Sequence, residues 1–195
     1  MIHEALKFIS DEVNRYLSLK LGSVTDPRLV LGNVAKLSEN DQGGGSNPLS
    51  NRAILTLVNI EEDRVSRSPD NYRRVGDAIQ YRNPKVFINL YCLFSVNRSN
   101  YDVSLEWLNY IIQFFQYRNV FTHGNSPLLH EKIDQLVLDM TSMNLEQLNQ
   151  LWGVMGGKYY PSVLYKMRLI AIEDDTPEAS GDLIREINIT EQGIN

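Results

Sequence analysis

The stretch LWGVMGGKYYPSVLYKMRLI, residues 151–170, decides the fold, because its Gly156-Gly157-Lys158 run admits two opposite readings. A phosphate-cradling loop would place it between a strand and a following helix, inside a parallel sheet. Such a loop needs a glycine five residues before the Gly-Lys pair and a Ser or Thr after it. Trp152 holds the first of those places and Tyr159 the second. The run also follows a helical pattern, Leu145, Leu148, Trp152 and Met155, instead of preceding one. The phosphate reading fails on both counts.

The other reading accounts for every residue. Asn144 caps a short helix, and Gly156 or Gly157 takes the left-handed conformation that ends it. Pro161 cannot continue a helix and forces Tyr160 into extended backbone. A strand then runs over 162–172, with Val163, Tyr165, Met167, Leu169 and Ala171 alternating against Leu164, Lys166, Arg168, Ile170 and Ile172. Trp152, Tyr159 and Tyr160 supply apolar bodies with polar tips for a core edge or an interface. Gly153-Val154-Met155-Gly156 matches the spacing of an RNA-clamping loop, but its middle residues are apolar and we set it aside.

Upstream, KVFINLYCLFSV (85–96) is the clearest strand, with Val86, Ile88, Leu90, Cys92, Phe94 and Val96 on one face. RAILTLVNIEEDRV (52–65) opens as a near-continuous apolar run, the mark of a strand covered on both faces. QLVLDMTSM (135–143) alternates as another strand, and RLVLGNVAKL (28–37) reads as a short strand or extended segment. Ile2, Leu6, Ile9, Val13 and Leu17 mark a first helix that ends at Gly22, with Pro27 beyond. A second helix spans 101–117, its inward stripe expected at Leu105, Leu108, Ile112 and Phe115, widened by Trp107, Tyr110 and Phe114. Residues 38–51 and 66–84 are polar and read as loops, the second long and mobile. Strands and helices do not alternate regularly, so the expected class is α+β, a mainly antiparallel β-sheet with packed helices. Residues 1–172 form the expected domain and 173–195 a polar C-terminal tail, extended or disordered.

The composition excludes more than it identifies. The 195 residues carry 24 acids against 19 bases, net −5, which argues against a nucleic-acid partner. The single cysteine, Cys92, leaves no disulfide framework and reads as a buried structural thiol. The acid-bearing N-terminal stretch is no signal peptide, and no run reaches the roughly 18 apolar residues of a spanning helix. Synthesis in the cytoplasm and no membrane insertion are therefore expected. His3, His123 and His130 show no ligand spacing. Glu61, Glu62 and Asp63 form the one carboxylate cluster, which could serve acid/base chemistry or a cation; a solvated strand end is the simpler account. No catalytic residue, cofactor site or metal site is expected.

Taken in order, HEALKFISDEVNRYL, LVNIEED, VFINLYCLFSVNRSNYDVSLEWLNYIIQFFQ and LEQLNQLWGVMGGKYYPSVLYKMRLI resemble one family. It is the N-terminal domain of cap proteins of phage-tail-like extracellular contractile injection systems, of the antifeeding-prophage and Photorhabdus-virulence-cassette type. The resemblance spans residues 2–172. Its motif positions fall on Asn59, Ile60, Glu61 and Glu62, on Phe114, Phe115 and Gln116, and on Trp152, Gly153, Tyr159, Pro161, Ser162 and Tyr165.

The resemblance implies a tail-terminator-like fold and a non-enzymatic cap. Such a subunit ends the inner tube and engages the sheath end, as a hexameric ring partnered by inner-tube and sheath proteins. It implies a place in a phage-tail-like particle that either leaves the cell or stays anchored. Some relatives carry a further C-terminal domain, so a minimal cap or one of two cap-type subunits is expected. The alternative is a soluble assembly chaperone for tube or sheath subunits.

Candidate protein-interaction residues are Arg64, Arg67, Arg73, Arg74 and Arg82 of the second loop, whose guanidiniums suit a partner's carboxylates. Glu61, Glu62, Tyr159 and Tyr160 join them. The tail's DLIREINI could add a strand to a neighbour's sheet edge.

Overall fold

A computed structural model describes residues 1–37, 47–63, 72–75, 78–81, 86–172 and 179–182. Helix α1 (Ile2–Leu21) leads into β1 (Leu29–Leu31), a short 3-10 turn at Val34–Leu37, and β2 (Ala53–Glu62). Strands β3 (Tyr72–Val75), β4 (Ala78–Tyr81) and β5 (Val86–Val96) precede α2 (Tyr101–Tyr117). Then come β6 (Val120–Thr122), β7 (Gln135–Thr141), α3 (Leu145–Val154), β8 (Ser162–Ile172) and β9 (Ala179–Asp182).

The main sheet has six strands in the order β1-β2-β5-β8-β7-β6. Only β1 and β2 pair in parallel; β2, β5, β8, β7 and β6 are joined antiparallel. The expected α+β class, mainly antiparallel with packed helices, is what the chain forms. A second sheet, β3-β4-β9, is antiparallel throughout. The sequence suggested a loop over 66–84, yet residues 72–75 and 78–81 pair as strands. Their polar composition hid them, since a strand with little to bury carries a weak alternation signal.

Alternation along β5 sorts the core into two layers, as the sequence predicted. Ile88, Leu90, Cys92, Phe94 and Val96 turn toward α1 and α2 and join the large cluster with Leu6, Ile9, Val13 and Leu17. A connected series of rings crosses this layer. Phe8 meets Phe121 at 5.6 Å, Phe114 meets Phe115 at 5.0 Å, and Phe115 meets Tyr165 at 4.5 Å. On the opposite face Leu93, Ile54 and Leu164 pack with Val34, Leu37 and Trp152 beneath the 3-10 turn and α3.

Helix α2 is rotated from the expected stripe. Its buried residues are Ser104, Trp107, Ile111, Phe114 and Phe115, whereas Leu105 is 43% exposed. The run IIQFF permits either stripe, and Ser104, small and bonded through its hydroxyl to Asn100 O at 3.3 Å, allows the closer approach. Strand β6, three residues long, gave no periodic signal at all.

Asparagine side chains bond backbone groups at both outer strands of the main sheet. Asn14 of α1 accepts from Leu29 N at 2.8 Å and donates to Leu29 O at 2.7 Å, standing in for a strand beside β1. Asn125 accepts from Thr122 N at 2.9 Å and donates to Val120 O at 3.0 Å, doing the same beside β6. These contacts satisfy backbone groups that would otherwise invite a strand from another chain. The β6 hairpin is tied to α1 by Glu12, buried and paired with both Arg15 and Arg118.

Candidate interaction surface

The α3 face of the main sheet is open to solvent where α3 does not reach. Helix α3 begins at Asn144, which accepts from Gln147 N at 2.8 Å while Gln147 Oε1 accepts from Asn144 N at 3.0 Å. It ends as the sequence predicted. Gly156 and Gly157 have φ of 98° and 76°, and Gly157 N donates to Trp152 O at 2.8 Å. This turn carries the chain back toward β8 and sets Tyr159 and Tyr160 edge-on to the Trp152 ring, at 5.6 and 5.8 Å. Tyr160 packs on the core beneath α3, whereas Tyr159 is 58% exposed. Leu145 and Val154 of α3 are 85% and 83% exposed.

One register row beyond Leu93 and Leu164, the same face becomes charged. Tyr91 lies opposite Lys166, and on its other side opposite Asn59. The Lys166 ammonium donates to Glu61 Oε2 at 2.7 Å, and the Tyr91 hydroxyl donates to the same oxygen at 2.9 Å. The ammonium also lies 5.3 Å from the centre of the Tyr91 ring. The Lys166 bond, and after it the Tyr91 bond, holds the Glu61 carboxyl below its ordinary range; the same bond to Glu61 raises Lys166. Asp139 on β7 pairs with Arg168 on β8, extending the row. Three strands, β2, β8 and β7, thus contribute charges of both signs to one band, with Tyr91 of β5 among them.

The sequence singled out Glu61 on this band and Tyr159 and Tyr160 at the aromatic corner of the same face. It missed Tyr91, Lys166, Asp139 and Arg168. Opposite charges at polar positions of two alternating strands were the available signal, but it needs the strand order. Glu62 pairs with Ile88 and so belongs to the opposite face. Arg73 and Arg74 lie on β3 and their side chains are not described; Asp182, the first residue of DLIREINI, ends β9, and Arg64, Arg67, Arg82 and residues 183–189 lie outside the described residues.

Nothing in this band resembles a catalytic constellation. Among the described residues no cluster of His, Cys, Asp or Glu could hold a metal ion. His130 accepts a backbone bond from Lys132 N at 3.2 Å through Nδ1. Cys92 is buried, and desolvation pushes its thiol up to about 12. Among the described residues no helix is long and apolar enough to cross a membrane.

The model of the Pvc16 N-terminal domain family matches residues 5–186. No curated protein matches the chain. Among solved structures, the sheath/tube terminator of the PVC extracellular contractile injection system, in its extended state, superposes with a TM-score of 0.65. The two share 14% identity over 100% of this chain and 64% of that one. The tube-terminating cap of the anti-feeding prophage superposes with a TM-score of 0.59, at 14% identity over 94% of this chain and 60% of that one. This chain therefore spans less than two thirds of either protein, and at such identity the likeness is one of fold.

Proposed function

This chain belongs to the Pvc16 N-terminal domain family, and from that membership we propose that it is a structural terminator subunit, not an enzyme. It ends the inner tube and engages the sheath end of a contractile injection system. The observation that carries this is the superposition of the whole chain on a sheath/tube terminator. Residues 1–172 form the terminator domain and 173–195 a tail, of which β9 returns to pair with β4.

The subunit is made in the cytoplasm and works as a hexameric ring. Its partners are inner-tube and sheath proteins, without nucleic acid, cofactor or membrane insertion. Contact runs through the α3 face. The exposed aromatic and aliphatic side chains Tyr159, Leu145 and Val154 supply apolar area, and the charged band sets orientation and register. The loop arginines add donors for carboxylates on the partner.

Electron microscopy of particles from cells lacking the gene tests this. Tubes of irregular or runaway length, or sheaths detached from their ends, are expected. Particles of normal length with intact ends, and the protein absent from purified wild-type particles, would replace the terminator with an assembly chaperone.

A further inference from the structure

A cleft of about 850 Å³ opens at the far end of the main sheet from the charged band, between the α1–β1 turn, the turn at Asn51 and the start of α2. Three arginines line it, Arg28, Arg52 and Arg98, against one aspartate, Asp26. That is an excess of two positive charges in a chain whose net charge is −5.

The guanidiniums are held in place by the fold. Arg28 donates to the carbonyls at the end of α1, Leu21 O at 3.1 Å and Gly22 O, just past the helix, at 2.8 Å. Arg98 donates to Asn51 O at 2.8 Å, and Asn51 itself adopts φ of 62°. Arg98 and Arg28 lie 4.6 and 5.9 Å from the centre of the Trp107 ring. Arg52 donates to Pro27 O at 3.2 Å and stands 3.5 Å from the Asp26 carboxylate. Each guanidinium has five donors, so these bonds leave N–H groups over. Arg98 Nε is buried without a hydrogen-bond partner among the described residues. Fixed planar cations of this kind lose little entropy on binding and match carboxylates in pairs.

We propose that this cleft is a docking site for an acidic segment of a protein partner, two of whose carboxylates bridge Arg28, Arg52 and Arg98. Phosphate-rich nucleic acid is the poorer fit. The cleft lies on an acidic chain and has no lysine in its lining. Asp26, 81% exposed at the rim, occupies Arg52 until the partner's carboxylate takes its place. The site stands on its own geometry and does not require the terminator role.

Fluorescence anisotropy of a fluorescein-labelled oligoglutamate peptide, titrated with the full chain at low salt, provides the test. Saturable binding is expected, weakened about tenfold by Arg52→Gln, which removes one charge-assisted contact. Asp26→Asn should tighten binding several-fold, a gain that misfolding cannot mimic. Failure of the peptide to bind, or binding indifferent to both substitutions, overturns the proposal. Tighter binding of a labelled oligothymidylate than of the peptide overturns it in favour of a phosphate site.

Discussion

The two faces of the main sheet are finished differently. Toward α1 and α2 the strands present Leu90, Cys92, Phe94, Tyr165 and Met167, all buried within one cluster. Toward α3, Leu93, Ile54 and Leu164 are buried, but beyond them come Tyr91 and Lys166, half-buried, and Glu61, exposed. The first face is largely covered by α1 and α2, with Ile60 and Met140 exposed only at its margins. The second is half completed, and what it leaves open is a band of paired charges, not an apolar patch that would aggregate. A subunit that must fold alone and then attach to others needs both kinds of face. The comparison predicts that damage to the first face is a folding defect and damage to the second an assembly defect.

The largest effect should come from Phe94, which lies fully buried between Phe115 and Tyr165, 5.3 and 5.7 Å from their ring centres. Phe94→Ala removes the ring from a site with no solvent access, a loss of about 4 kcal/mol. Urea unfolding followed by circular dichroism measures it. A loss below about 1.5 kcal/mol would mean that the helix face repacks freely and that the two faces are not so different.

The helix face should also answer to alkaline pH. Burial raises the Cys92 thiol from 9.0 to about 12, and the Tyr165 hydroxyl beside the same core from 10.0 to about 12. Both groups are neutral in the folded chain at pH values where the unfolded chain ionises them. The unfolded state then binds fewer protons, so stability falls as pH rises above 9.0 and levels off near 12, by up to about 1.4 kcal/mol per pH unit for each group. Cys92→Ala should start from a lower stability, because it leaves a small cavity, yet decline less steeply above pH 9.0. Parallel curves for the two proteins would show that the thiol is hydrated in the folded state.

The sequence shows the helix face far better than the open one, and the reason is range. The alternation along β5, the stripe of α1 and the Gly156-Gly157 ending of α3 are local patterns, each written within one element. Glu61 and Lys166 are separated by 105 positions. They meet only because β2 and β8 flank the same β5, an order that no local periodicity reports. Arg28, Arg52 and Arg98 are gathered in the same way from three separate connections. Even the misplaced stripe of α2 fits this view, since several phases of its apolar run were locally acceptable and the choice among them fell to distant partners, β5 and β8.

The smallest stability effect, and the sharpest test of the comparison, lies in the charged band. Glu61 is lowered by Lys166 and Tyr91, so its favourable pairing is present above the ordinary carboxylate range and lost as pH falls through its lowered folded value. The pair is solvent-exposed, and exposed ion pairs contribute little to folding. Glu61→Lys combined with Lys166→Glu keeps the pair and reverses its polarity. The unfolding midpoint should stay where it was, while incorporation into particles, read by immunoblot of purified particles, should fall sharply. Either single substitution puts like charges side by side and should lower the midpoint slightly, which shows that the pair forms in solution. If the exchanged protein enters particles as well as the original, the open half of this face is a solvated surface only. Attachment would then have to run through the aromatic corner at Tyr159, the loop arginines or the cleft at Arg28, Arg52 and Arg98.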